Sequence, residues 1–94
     1  MAPARTTLIP AYVGANVKAW RLRRDLTQEA LAEGAEIDIR FVQKIERGTV
    51  DVGVTVLVAL AAALDVQPGV LLRVAAPVPE PKRGRPSKTT KAKR

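Results

Sequence analysis

Residues 27–48 read TQEALAEGAEIDIRFVQKIERG, and they decide the fold. Thr27 opens a helix, because its hydroxyl can accept one of the free N–H groups of a first turn. Leu31 and Ala32 then face inward, and the small side chain of Ala32 lets a second helix cross closely. Residues 34–36 break the pattern. Asp38 is a second N-cap, followed by Phe41, Val42 and Ile45 on one side of a helix over residues 39–47. Two short helices joined by a tight turn are the result, the first spanning residues 28–35.

Outward from this stretch the pattern stays helical. Upstream, Val13, Val17 and Trp20 form a stripe over residues 13–24, with Trp20, the single tryptophan, as a core anchor. Downstream, Gly48 is a natural helix stop. A loop over residues 49–53 leads into a fourth helix over residues 54–64. That helix is apolar on nearly every face, and such a helix must be covered all round. One small domain covers one face, so the other asks for a partner. Pro68 suits the first position of a short fifth helix over residues 68–72.

The ends differ in character. Residues 1–11 hold Pro3 and Pro10 and no periodic pattern, and read as a flexible arm. The domain proper occupies residues 12–73. Residues 74–81 carry three prolines and read as an extended spacer. Residues 82–94 carry seven basic side chains and no acid, whereas the other nine basic residues are matched by nine acidic ones, so the whole net charge of +7 belongs to the tail. A neutral domain with a cationic tail is typical of nucleic-acid binders.

Composition disfavours catalysis. The 94 residues include no cysteine and no histidine, which removes disulfides, thiolate metal sites and the commonest catalytic base. An enzyme, a metal site or a cofactor is therefore not expected. No signal peptide is evident, and the most apolar stretch is too short to span a bilayer, which needs about 20 residues. The expected location is the cytoplasm, associated with the nucleoid.

The chain resembles the Cro/C1-type (XRE) helix-turn-helix family of phage repressors and small bacterial regulators. The residues that carry the resemblance stand at the family's spacing without a gap: Val17, Trp20, Arg21, Leu26, Thr27, Gln28, Leu31, Ala32, Ile37, Phe41, Val42, Ile45, Glu46, Gly48, Leu57, Leu60, Ala61, Leu64 and Val66. The resemblance covers residues 13–72, about two thirds of the chain. Three positions depart from the family: Glu36 and Asp25 stand where glycine is usual, and Val52 where proline often stands.

The resemblance implies an all-α, compact five-helix lambda-repressor-like domain with disordered termini. It implies a sequence-specific, repressor-like transcriptional regulator of double-stranded DNA, working as a homodimer. The third helix would enter the major groove with Ile39, Arg40, Gln43 and Lys44 toward the bases. Arg40 suits guanine, Gln43 adenine, and Ile39 a thymine methyl. Gln28, Arg47 and Thr49 would meet phosphates, and Arg21 would pair with Glu46 across the first and third helices. In the tail, Lys82, Arg83, Gly84, Arg85 and Pro86 resemble an AT-hook, whose arginines lie along a narrow minor groove; a generic polycationic tail is the alternative. Two other functions stay open on sequence alone. One is an antitoxin that binds a toxin and represses its own operon. The other is an architectural or coactivator protein that contacts the transcription machinery while its tail supplies the DNA affinity.

Overall fold

The computed structural model describes residues 8–75. Residues 1–7 of the arm, residues 76–81 of the spacer and the whole basic tail, with its AT-hook-like motif, lie outside the described residues.

Helix α1 is Ile9–Arg23, α2 is Gln28–Ala35, α3 is Ile39–Glu46 and α4 is Val54–Leu64; a 3₁₀ turn, Pro68–Leu72, follows. Among the described residues there are thus four α-helices, not five. A segment of five residues opening Pro-Gly is too short and too poor in helix formers for α-helical bonding, and its Val70 N–H bonds three residues back to Gln67. Helix α1 also begins earlier than its apolar stripe predicts, so residues 9–11 are helix rather than arm. Pro10 lies in the first turn, where its missing N–H leaves no bond unmade.

The two expected caps are present. The Thr27 hydroxyl accepts the Ala30 N–H at 2.9 Å, and the Asp38 carboxylate accepts the Arg40 N–H at 2.7 Å. All four α-helices end the same way. Asp25, Glu36, Gly48 and Asp65 take left-handed conformations with φ of 60, 60, 75 and 59°. Each donates its N–H three residues back, to Leu22, Glu33, Ile45 and Ala62 respectively. The next residue in each case, Leu26, Ile37, Thr49 or Val66, donates five back, which completes a Schellman motif. Leu26, Ile37 and Val66 also pack on the core, so each of those stops is fixed by hydrogen bonds and by apolar contact. The departures from glycine at Asp25 and Glu36 are therefore accommodated without moving the turn. Gly34 lies inside α2 instead, where an added Cβ would come 3.3 Å from that of Ala63, so its bareness lets α2 approach α4.

The core joins Val13 and Val17 of α1, Leu31, Ala32 and Ala35 of α2, Val42 and Ile45 of α3, Leu57, Leu60, Ala61 and Leu64 of α4, and Leu71. Helix α1 packs across α3, and α2 lies between α3 and α4. Close approach of α1 to α3 depends on Gly14: a Cβ there would strike the Ile45 carbonyl oxygen. A single chain covers more of α4 than its sequence suggests. Val56, Ala59 and Ala63 are half-buried against the core, and the exposed positions narrow to Val54, Thr55, Val58 and Ala62. No helix among the described residues is long and apolar enough to cross a membrane.

Candidate nucleic-acid interface

Helix α3 has an outward and an inward face of different chemistry. Each residue advances roughly 100° around a helix, so Arg40, Gln43, Lys44 and Arg47 share one side while Val42, Ile45 and Glu46 share the other. Val42 and Ile45 are fully buried. Arg40, Lys44 and Arg47 are exposed, Gln43 is half-buried, and together with Asp38 and Phe41 they line one shallow open hollow. The outward side is a cationic strip with one amide in it.

What holds the strip in place lies on the inner side. The Glu46 side chain is almost wholly buried and accepts Arg21 at both oxygens, Nε to Oε2 at 2.7 Å and Nη2 to Oε1 at 3.2 Å. Gln28 donates its amide N–H to the same Oε1 at 3.0 Å. Arg21 Nη1 donates to the Leu26 carbonyl at 2.9 Å. One carboxylate thus ties α1, the start of α2 and the end of α3 together. A buried arginine–carboxylate fork is directional as well as charged, so it fixes the angle between the helices.

Two expected site residues are placed differently. Ile39 is half-buried against the core rather than turned outward. It lies three residues before Val42 and seven before Glu46, on the inward side of the helix, and an apolar side chain there gains by burial. Gln28 is half-buried with its amide nitrogen committed to Glu46, which leaves one of its N–H groups for any outer partner. Thr49 stays exposed, and its hydroxyl donates to the Lys44 carbonyl at 3.2 Å. Arg40, Gln43, Lys44 and Arg47 are where the helical pattern puts them.

Asp38 is more than the cap its position suggests. The Arg40 Nε donates to Asp38 Oδ1 at 3.2 Å and Nη2 to Oδ2 at 3.1 Å. The side-chain and backbone hydrogen bonds from Arg40 hold the Asp38 carboxyl below its ordinary range, and the same pairing raises Arg40. An acid two residues before a basic one is a common surface pattern, so nothing in the chain's spelling singles out this pair.

Comparison with known proteins gives a consistent picture. The helix-turn-helix family model matches residues 17–71. The restriction-modification controller protein C.AhdI from Aeromonas hydrophila is similar, with 32% identity and a TM-score of 0.64 over 66% of this chain and 94% of that one. A hypothetical transcription factor, NHTF, from Neisseria has 28% identity and a TM-score of 0.67 over 69% of this chain and 75% of that one. The clp gene regulator ClgR from C. glutamicum has 25% identity and a TM-score of 0.66 over 69% and 84%. No curated protein sequence matches the chain.

Proposed function

Because the chain belongs to the Cro/C1-type (XRE) helix-turn-helix family, we propose that it is a sequence-specific, repressor-like transcriptional regulator that seats α3 in the major groove of its operator. The observation that carries this reading is the outward strip of α3, Arg40, Gln43 and Lys44, on a helix whose angle is set by the buried Arg21–Glu46 fork. Arg40 and Lys44 read guanine and Gln43 reads adenine. Arg47, the Thr49 segment and the remaining N–H of Gln28 meet the flanking phosphates. Selection of bound sites from random DNA tests the reading. A single preferred site is expected, built of two half-sites about one helical turn apart, roughly 34 Å. Enrichment of no site would overturn it.

The twofold site calls for a homodimer. The uncovered apolar side chains Val54, Val58 and Leu72, exposed by 76, 47 and 46%, are its seam. Leu71 is fully buried within one chain, so a charge there would unfold the domain rather than separate the protomers. Val58→Asp is the cleaner probe, and sedimentation should show it shifted toward monomer; a wild-type protein monomeric both free and on its operator would contradict the seam.

The basic tail acts as a separable anchor on DNA. Binding that neutralises phosphates weakens with salt by a slope near −0.9 per contact. If about four to six of the seven tail charges engage, truncation after Pro81 flattens the slope by about 4–5 and spares base preference. An unchanged slope would take the tail off the DNA.

A further inference from the structure

We propose that Asp38 is a specificity-determining positioning residue, which holds the Arg40 guanidinium side-on so that only its outer edge is offered to a guanine. The inference rests on the proposed base-reading role of Arg40 and deepens it.

The geometry is specific about which hydrogens are used. A guanidinium has five N–H groups. Asp38 takes the Nε–H and one Nη2–H, at 3.2 and 3.1 Å. Both Nη1 hydrogens and the outer Nη2 hydrogen remain. One from each nitrogen forms the parallel fork that matches guanine O6 and N7. The carboxylate that does this is itself anchored, because its Oδ1 also accepts the Arg40 backbone N–H at 2.7 Å. Cap and clamp are thus one group, and ordering the arginine does not require a second side chain to be ordered with it.

The pair is far out in solvent, with side-chain exposures of 81% for Arg40 and 53% for Asp38. An exposed ion pair contributes little to folding. Its position explains it better than stability does: it stands at the start of the helix that carries the cationic strip. A long arginine freed from its clamp could reach a phosphate or any nearby acceptor, and would bind DNA with less regard to sequence. The Asp38 charge adds a repulsive element, since it faces phosphates wherever the helix is out of register with its site. Specificity built from one directed attraction and one repulsion is stronger than from either alone.

The test uses the full chain and four proteins: wild type, Arg40→Ala, Asp38→Asn and the double variant. Asparagine caps a helix about as well as aspartate, so Asp38→Asn should melt like wild type. Affinity is measured on the selected site, on the same site with the guanine pair replaced by adenine, and on random DNA. Arg40→Ala should lose about ten- to hundredfold discrimination at one guanine pair. Asp38→Asn should lose most of that same discrimination, gain affinity for random DNA, and have no further effect on discrimination in the Arg40→Ala background. Full guanine discrimination in Asp38→Asn, with loss in Arg40→Ala, would make Asp38 a cap alone and leave the base-reading role standing. Full discrimination in Arg40→Ala itself would overturn both.

Discussion

Two arginine–carboxylate forks flank the same helix and do opposite work. Arg21–Glu46 lies on the inner side of α3 with side-chain exposures of 11 and 3%; Asp38–Arg40 lies at its outer start with 53 and 81%. The longer contact is 3.2 Å in both, and the shorter one is 2.7 Å in the buried fork and 3.1 Å in the exposed one. Both lie within hydrogen-bond range, so bond length alone does not say what a fork is for. Burial decides it, because an ion in a low-dielectric interior cannot lose its partner cheaply, whereas water replaces the partner of an exposed one. The buried fork builds the scaffold. The exposed one is open to solvent.

The sharpest way to break this contrast is Glu46→Ala. It strips Arg21 and Gln28 of a shared acceptor and leaves a buried guanidinium with only the Leu26 carbonyl, so a loss of about 3–5 kcal/mol is expected in denaturant unfolding. A double-mutant cycle with Arg21→Ala that shows no coupling would remove the buried fork from the scaffold. Next comes Gly14→Ala, which tests whether α1 and α3 are held by backbone approach as well as by charge. The new methyl meets the Ile45 carbonyl, and an overpacking cost of about 1–3 kcal/mol is expected. A wild-type melting temperature would mean the two helices can separate freely.

Smaller effects sharpen the outer side. Glu36→Gly relieves a left-handed conformation and removes an acid from the carbonyl end of α2, so it should stabilise the domain by about 1 kcal/mol. Thermal unfolding reads this directly; destabilisation would show that the Glu36 side chain contributes more than its backbone costs. The smallest effect is the pH response of the exposed fork. Asp38 has a folded pKa below its unfolded value, so whatever it contributes is present above the unfolded pKa and fades as pH falls through the folded one. Between about pH 5 and 8 the melting temperatures of wild type and Asp38→Asn should therefore run parallel. Diverging curves in that window would mean that the Asp38 carboxyl is raised on folding, against its pairing with Arg40.

Much of this architecture is legible in the sequence, and the exceptions have physical causes. Thr27 and Asp38 cap where their side chains suggest, and α2 and α4 run between the expected residues, because caps and apolar spacing are local signals. The Arg21–Glu46 fork can be anticipated only through family resemblance, since nothing local joins residues 25 apart. Gly34 reads as a turn residue, but its reason is a neighbour on α4, and tertiary approach leaves no local trace. Pro10 reads as a break and is a first-turn residue. Ile39 is half-buried against the core, and its spacing from Val42 and Glu46 is the local sign of that. Gln28 reads as facing outward for want of any sign that Glu46 has room for a further donor.

Trp20 gives the molecule a built-in optical reporter. It is the only tryptophan of the chain. Its ring lies under two guanidinium groups, Arg23 at 4.7 Å and Arg24 at 5.1 Å from the centroid. Arg24 is held in turn by the Leu64 and Asp65 carbonyls at 2.8 and 3.1 Å, at the end of α4. The indole's surroundings are therefore made by the docking of α1 on α4, with no residue of α3 among the side chains lining that groove. Its emission follows whether those two helices are together, and it does so away from the strip where DNA would sit. Folding can thus be followed on the unlabelled protein by a reporter that stands apart from that strip.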